Sequence, residues 1–279
     1  MERSFTCLMY HGVYGGGAPC AGFSPSITAY SVARSAFDRQ LQEISALGGW
    51  TLTPEDLKAF YALRPGEGDR PWRPGYPVLL TFDDGWLDSV EEAGPLLEAH
   101  RCTAMFFVTT DFVGRPYFVS RGDLQRLPRD WFRIGSHARS HRMLSLLSER
   151  EIRAELADSK SYLEDVTGDE VDAVSIPGGA VDPRVRRIAV EVGYRLLFTS
   201  EVRANHRGDS PMDIGRVAVK STTALESFRG YVRQRFARQR LRRLVLQVPK
   251  RVLGLARYER LRRRLLGEVE GQFVSHEPV

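Results

Sequence analysis

Cysteine is scarce: Cys7, Cys20 and Cys102 are the only three in 279 residues. They are odd in number, far apart and form no CxxC pair, which excludes a disulfide framework and a zinc knuckle of ordinary spacing. Long apolar runs are missing as well. No window approaches the roughly 20 apolar residues that span a bilayer. The opening MERSFTCLMYHGV has no basic stretch leading into about 7–15 apolar residues, so no secretory segment is expected and a cytoplasmic location is. Repeats and low-complexity tracts are absent, which sets aside solenoids and disordered arrays. What is present suits a globular chain. A hydrophobic fraction of 42%, with 14 Phe, 10 Tyr and 4 Trp, is enough for one large core or two small ones.

The net charge of +5 is unevenly distributed. The stretch from Arg229 to Arg264 holds fourteen of the 40 Lys and Arg but one acid, Glu259, so the rest of the chain is net acidic. Residues 228–267 form an arginine-rich amphipathic segment interrupted at Pro249. The expected division is a catalytic body over 1–222 and a basic helical tail over 223–279. Three roles are open for the tail: a solvated helix packed on the acidic body, a peripheral contact with an anionic membrane surface, or nucleic-acid binding. The last is disfavoured because no recognition motif accompanies the charge.

Along the body, short apolar runs alternate with amphipathic stretches. FTCLMYHGV, VLLTF, CTAMFFVTT, FRIGSH, AVSIPGG, YRLLFTS and IGRVAVK read as strands. Between them, 35–49 has Phe37, Leu41, Ile44 and Leu47 on one helical face. TLTPEDLKAF opens a helix with Thr53 as N-cap, Pro54 at the first position and Asp56 closing a capping box. LDSVEEAGPLLEAH reads as a helix interrupted near Gly94–Pro95. Residues 148–168 carry a second capping box, Ser148 with Glu151, and stop at Gly168. Asp182 before Pro183 caps another helix. This alternation predicts an α/β fold, with a parallel sheet covered on both sides or closed as a barrel.

Two motifs carry chemistry. In LLTFDDGW, Asp83 and Asp84 follow a fully apolar strand, and strand ends are where α/β folds bind ligands. Adjacent carboxylates repel, so a metal or an arginine is needed beside them; a plain Asp-Gly turn is the bland alternative. In GSHARSH, His137 and His141 are four apart and on a helical turn would share one face. The glutamate of HExxH is absent, so this is not that class of zinc protease. Two imidazoles and a carboxylate make a ligand set for zinc or a similar divalent ion with positions left open, and the second carboxylate stays available as a base.

TFDDG together with HARSH resembles the first two motifs of the polysaccharide deacetylases, the NodB-homology domains of carbohydrate esterase family 4. The resemblance implies a distorted (β/α) barrel and metal-dependent removal of N-acetyl groups from the amino sugars of a glycan. It implies that Asp83 is the general base and that Asp84, His137 and His141 hold the metal, zinc above all. The third motif, R-x-P-[YFG] in the family, corresponds to SIPGG here. Ser175 stands where the family has the arginine that orients the base, and Gly178 offers the backbone N–H of an oxyanion site. The family's general-acid histidine normally lies late in the domain. After His141 only His206 and His276 occur, and neither has the expected context. LMYH, ending in His11, does, which resembles a circularly permuted subset of the family with that strand first. The implied general acid is His11.

Trp86, Trp131, Phe118 and Tyr117 are candidates for a sugar platform, against the alternative of core packing. Two other functions remain open on the residues alone: an amidase acting on a non-sugar C–N bond with the same metal site, and a weakly active glycan-binding domain that keeps the site.

Overall fold

The computed structural model describes residues 3–16, 28–62, 72–237 and 239. Its centre is a curled, mostly parallel sheet. In chain order the strands are β1 (Ser4–Tyr10), β2 (Val13–Tyr14), β3 (Val32–Ala33), β4 (Gly49–Thr51), β5 (Tyr76–Phe82), β6 (Ala104–Val108), β7 (Phe132–Ser136), β8 (Ala173–Ser175), β9 (Leu196–Phe198), β10 (Asn205–His206) and β11 (Val217–Ala218). β1, β5, β6, β7, β8 and β9 are successive parallel neighbours. β4 pairs with the start of β5, in line with β6.

The two edges of this sheet meet through residues 211–218. Ile214 bridges Phe198 in parallel, and three residues later Val217 and Ala218 pair with Leu8 and Met9 of β1. The backbone bonds Ile214 N–H to Leu197 O and Thr199 N–H to Ile214 O, both 2.8 Å, hold the β9 side of that seam. The fold is therefore the expected distorted (β/α) barrel. The distortion lies in the seam, where two very short strands and one bridge replace a full strand. The first strand of the chain adjoins the last, as β1 lies between β5 and β11.

The two-residue period of a strand sorts the side chains. Phe5, Cys7, Leu79, Met105, Phe107, Ala173, Leu196, Phe198 and Ile214 form one buried cluster inside the barrel. Leu8, Tyr10, Val78, Leu80, Phe82, Ala104, Phe106 and Val108 belong to the larger cluster under the helices. The covering helices include α1 (Arg34–Ala46), α2 (Pro54–Ala62), α3 (Leu87–Glu91), α4 (Ala93–Ala99), α5 (Arg121–Arg126), α6 (Glu149–Thr167), α7 (Pro183–Val192) and α8 (Leu225–Val232). Both capping boxes read from the sequence form: Thr53 with Asp56, and Ser148 with Glu151. Asp182 caps α7 through the Val185 N–H. The interrupted helix breaks at Glu92, between α3 and α4, two residues before Gly94–Pro95.

The start of the supposed tail is part of the body. Phe228, Tyr231, Val232 and Phe236 are buried in the main core, and Arg229 makes a bidentate contact with Glu43 of α1 at 2.7 and 2.8 Å. Apart from Gln239, residues beyond 237 lie outside the described residues, and with them most of the basic segment. Among the described residues no helix is long and apolar enough to cross a membrane.

Gly135 on β7 shows how tightly the barrel interior is filled. A Cβ there would lie 2.5 Å from two Phe107 ring carbons. Gly135→Ala is expected to lower stability by about 1–3 kcal/mol through overpacking, measured by denaturant unfolding.

Candidate active site

The parallel strands end on one rim, and the period that fills the interior also aims the polar residues. Along β5 the inward positions are Leu79, Thr81 and then Asp83. Along β1 they lead through Cys7 and Met9 to His11, along β7 through Gly135 to His137, and along β8 from Ala173 to Ser175. The strands thus deliver a carboxylate, two imidazoles and a hydroxyl to one mouth from four places in the chain.

Asp83 and Asp84 are both buried but face different partners. Asp84 has φ of 75°, a left-handed conformation that Asp tolerates better than most residues. That turn aims the second carboxylate away from the first. Asp84 Oδ2 accepts the Trp86 indole N–H at 3.1 Å, and Oδ1 lies 3.4 Å from His137 Nε2 and 3.2 Å from His141 Nε2. His137 donates its Nδ1–H to the Ser175 carbonyl at 2.8 Å, leaving Nε2 as the ligating nitrogen. The two histidines do not share a helix. They lie on a non-helical loop in which Ala138 and His141 both have positive φ.

These three side chains fit a metal ion. Their ligand atoms lie within 4.8 Å of one another. The two Oδ1–Nε2 separations match the edge of about 3.3 Å expected between ligands of a tetrahedral zinc. Asp84 Oδ1 is buried without a hydrogen-bond donor, which a cation would compensate. Two nitrogens and one oxygen also leave positions open.

Asp83 is held by an arginine that the motif reading did not anticipate. Arg216, just before β11, is 1% exposed and forks onto Asp83 at 2.7 and 2.8 Å. Its other bonds go to Thr81 Oγ1, Ser175 Oγ and the Thr199 carbonyl, so all five guanidinium N–H groups are engaged. Ser175 in turn donates to Asp83 at 3.1 Å. Ser175 of the third motif brings no charge to Asp83; the cation beside it comes from the barrel seam. The signal was an arginine inside the apolar strand IGRVAVK, where a buried charge needs a carboxylate. Burial alone would raise the Asp83 pKa; the Arg216 charge and its hydrogen bonds, joined by His137 and His11, together outweigh it and hold the carboxyl below its ordinary range.

His11 follows β1 on the same rim, half-buried, with its ring 4.6 Å from Tyr30 and within electrostatic reach of Asp84, Asp83 and His137. Burial lowers its pKa despite those carboxylates. The first turn of α3 steadies this segment, since Ser89 donates to the His11 carbonyl. Gly178 lies three residues beyond Ser175, exposed, with φ of 65°, and a Cβ there would stand 3.3 Å from Met143 Cε. Cys7 lies deeper in the barrel, where burial pushes its thiol up to about 12, so it is no nucleophile. The supposed sugar platform does not hold together: Trp86 and Phe118 are buried against each other, and only Tyr117 is well exposed.

Residues 73–197 match the family model described as polysaccharide deacetylase. That stretch contains Asp83, Asp84, His137, His141, Ser175 and Gly178; His11 and Arg216 lie outside it. A putative polysaccharide deacetylase of Bacillus subtilis, YxkH, is 23% identical over 81% of this chain and 75% of its own length. The peptidoglycan-N-acetylglucosamine deacetylase PgdA of Listeria monocytogenes is 30% identical over 43% of this chain. A chitin deacetylase of Amylomyces rouxii is 29% identical, also over 43%. The chain spans only about a quarter of the length of these last two, 24% and 27%. Two solved structures share the fold: the Streptococcus pyogenes deacetylase PplD with acetate (TM-score 0.68, 23% identity, covering 81% of this chain and 97% of that one) and IcaB from Ammonifex degensii (TM-score 0.69, 24%, covering 82% and 97%).

If Arg216 is what keeps Asp83 ionised, removing it leaves desolvation to push the other way. In Arg216→Met the Asp83 carboxyl is expected to titrate at least about one unit higher, followed by carbon-13 NMR, while Arg216→Lys keeps most of the depression.

Proposed function

We propose that this chain, whose residues 73–197 match the polysaccharide deacetylase model, hydrolyses the N-acetyl groups of amino sugars in a glycan, with a divalent metal, zinc by preference, held by Asp84, His137 and His141. The observation that carries the reading is the convergence of those three ligand atoms beside an Asp83 that Arg216 keeps ionised. When bound, such an ion lowers the pKa of a water and polarises the amide carbonyl.

The chain's own residues supply the rest. Asp83 takes the proton from the attacking water, and Arg216 and Ser175 fix the carboxylate for that transfer. The new C–O bond forms as negative charge collects on the carbonyl oxygen, toward which the Gly178 N–H donates. His11 then gives a proton to the sugar nitrogen as the C–N bond breaks, releasing acetate and the free amine. The substrate class, an acetylated amino sugar within a glycan, is taken from the likeness to the polysaccharide deacetylases. The basic segment beyond α8 enters no step.

Acetate release from acetylated chito-oligosaccharides, with and without a chelator, tests the reading. Activity is expected to vanish on chelation and return with zinc. A zinc-loaded protein that releases no acetate from any amino-sugar polymer would sink it. His11→Ala is expected to lower kcat/KM by about 10²–10⁴ with zinc content and thermal midpoint kept; near wild-type turnover removes His11 as the acid.

The sign of the pH dependence follows from the same groups. A general acid works only while protonated, and burial holds His11 below the ordinary histidine value. The alkaline limb of kcat/KM is therefore expected below pH about 6.5. A limb well above that value would contradict the assignment.

A further inference from the structure

α6 (Glu149–Thr167) lies against the loop that carries both metal histidines. Its Glu155 is 1% exposed, on a face that otherwise buries Ile152, Leu156, Ser159 and Leu163. A carboxylate on the buried face of a helix has to be compensated. Here the bonds come from the loop: Oε2 accepts the backbone N–H groups of Arg139 at 3.1 Å and Ser140 at 2.8 Å, and Oε1 accepts the Ser140 hydroxyl. One turn further along, Ser159 Oγ meets Ser136 Oγ at 2.8 Å, and that hydroxyl also accepts the Ala138 N–H at 3.1 Å. At the exposed edge Asp158 pairs with Arg139 at 2.8 Å.

The loop needs an external tie. Ala138 and His141 have φ of 59° and 60°, a region L side chains rarely adopt, and no glycine stands between His137 and His141 to ease it. This conformation turns two successive N–H groups the same way, the arrangement that receives an anion. The anion is the side chain of Glu155.

We infer that Glu155 is a positioning residue for the metal site: its carboxylate clamps the strained 138–141 turn and so brings His141 to face His137 and Asp84. The inference rests on the metal reading above. It separates the carboxylate's shape from its charge. A glutamine can place its carbonyl oxygen where Oε2 accepts both N–H groups and turn its amide toward the Ser140 hydroxyl. A methionine fills the volume and accepts nothing.

The test is zinc affinity, measured by competition with a chromophoric chelator, alongside the thermal midpoint of each apo protein. Glu155→Met is expected to weaken zinc binding about 10–100-fold, and Glu155→Gln to stay within about threefold of wild type. A folded Glu155→Met protein with a lowered midpoint but unchanged zinc affinity overturns the inference and leaves Glu155 a merely structural residue. If Glu155→Met does not fold, Ser140→Ala decides: removing one of the three bonds is expected to weaken zinc about 2–10-fold while lowering the midpoint by only a few degrees, and unchanged affinity overturns the inference. If wild type does not bind zinc, or Asp84→Asn binds it equally well, the metal reading itself falls and takes the clamp with it.

Discussion

The fork of Arg216 onto Asp83 is the constraint around which the barrel mouth is organised. Both groups are almost wholly out of water. Burying two charges costs several kcal/mol each unless every remaining donor is matched. That condition is met without remainder, because Thr81, Ser175 and the Thr199 carbonyl take the arginine donors that Asp83 does not. The partners come from β5, β8 and the end of β9, and the arginine from the segment that joins β9 to β1. One cation therefore ties together strands far apart in sequence. Losing either charge would strand the other, at about 3–5 kcal/mol.

A simple rule sets where the polar groups stand. Strand residues alternate sides, so a strand that packs Leu79 and Thr81 inward must also aim residue 83 inward, and the left-handed turn at Asp84 then redirects the next carboxylate toward the histidines. The two acids of one dipeptide acquire different partners through one backbone dihedral. Asp83 is held by a cation of the chain, while Asp84 Oδ1 is left with imidazole nitrogens and no donor. Burial also excludes water from Asp83, so the arginine acts on it at low dielectric, where a charge shifts a pKa most.

Much of this was legible in the sequence. The strand-and-helix rhythm, both capping boxes and the parallel sheet follow from local periodicity, which a sequence displays directly; its closure into a barrel came from the family resemblance. His137, His141 and an acid pair were legible because their spacing is itself the signal, while the family resemblance alone pointed to Asp84 and not Asp83 as the ligand. The shape of the HARSH loop was not: four-residue spacing suggests a helical face, yet the histidines meet through two positive-φ residues that side chains outside the loop stabilise. Arg216 was hidden for a different reason. Its partner lies 133 residues away, and no local pattern says which acid a lone arginine in an apolar strand will find. Trp86 stayed open between sugar contact and core packing because an aromatic beside an acid pair looks the same whether it faces solvent or, as here, gives its N–H to Asp84.

The distribution of these residues separates two tasks. The proposed metal ligands and the proposed base lie within 73–197, the stretch that matches the family model. The proposed acid and the cation that holds Asp83 come from the flanks, just after β1 and just before β11, strands that are hydrogen-bonded neighbours at the seam. In the proposed mechanism, metal binding would therefore depend on the middle of the barrel and on α6 behind it, and proton handling on how the barrel closes. The seam is also thinly paired, through the two very short strands β10 and β11 and a single bridge. A change that loosens it would draw His11 and Arg216 away together while Asp84, His137 and His141 still converge. Such a protein would bind metal and fail to turn over, a phenotype that loss of a ligand cannot produce.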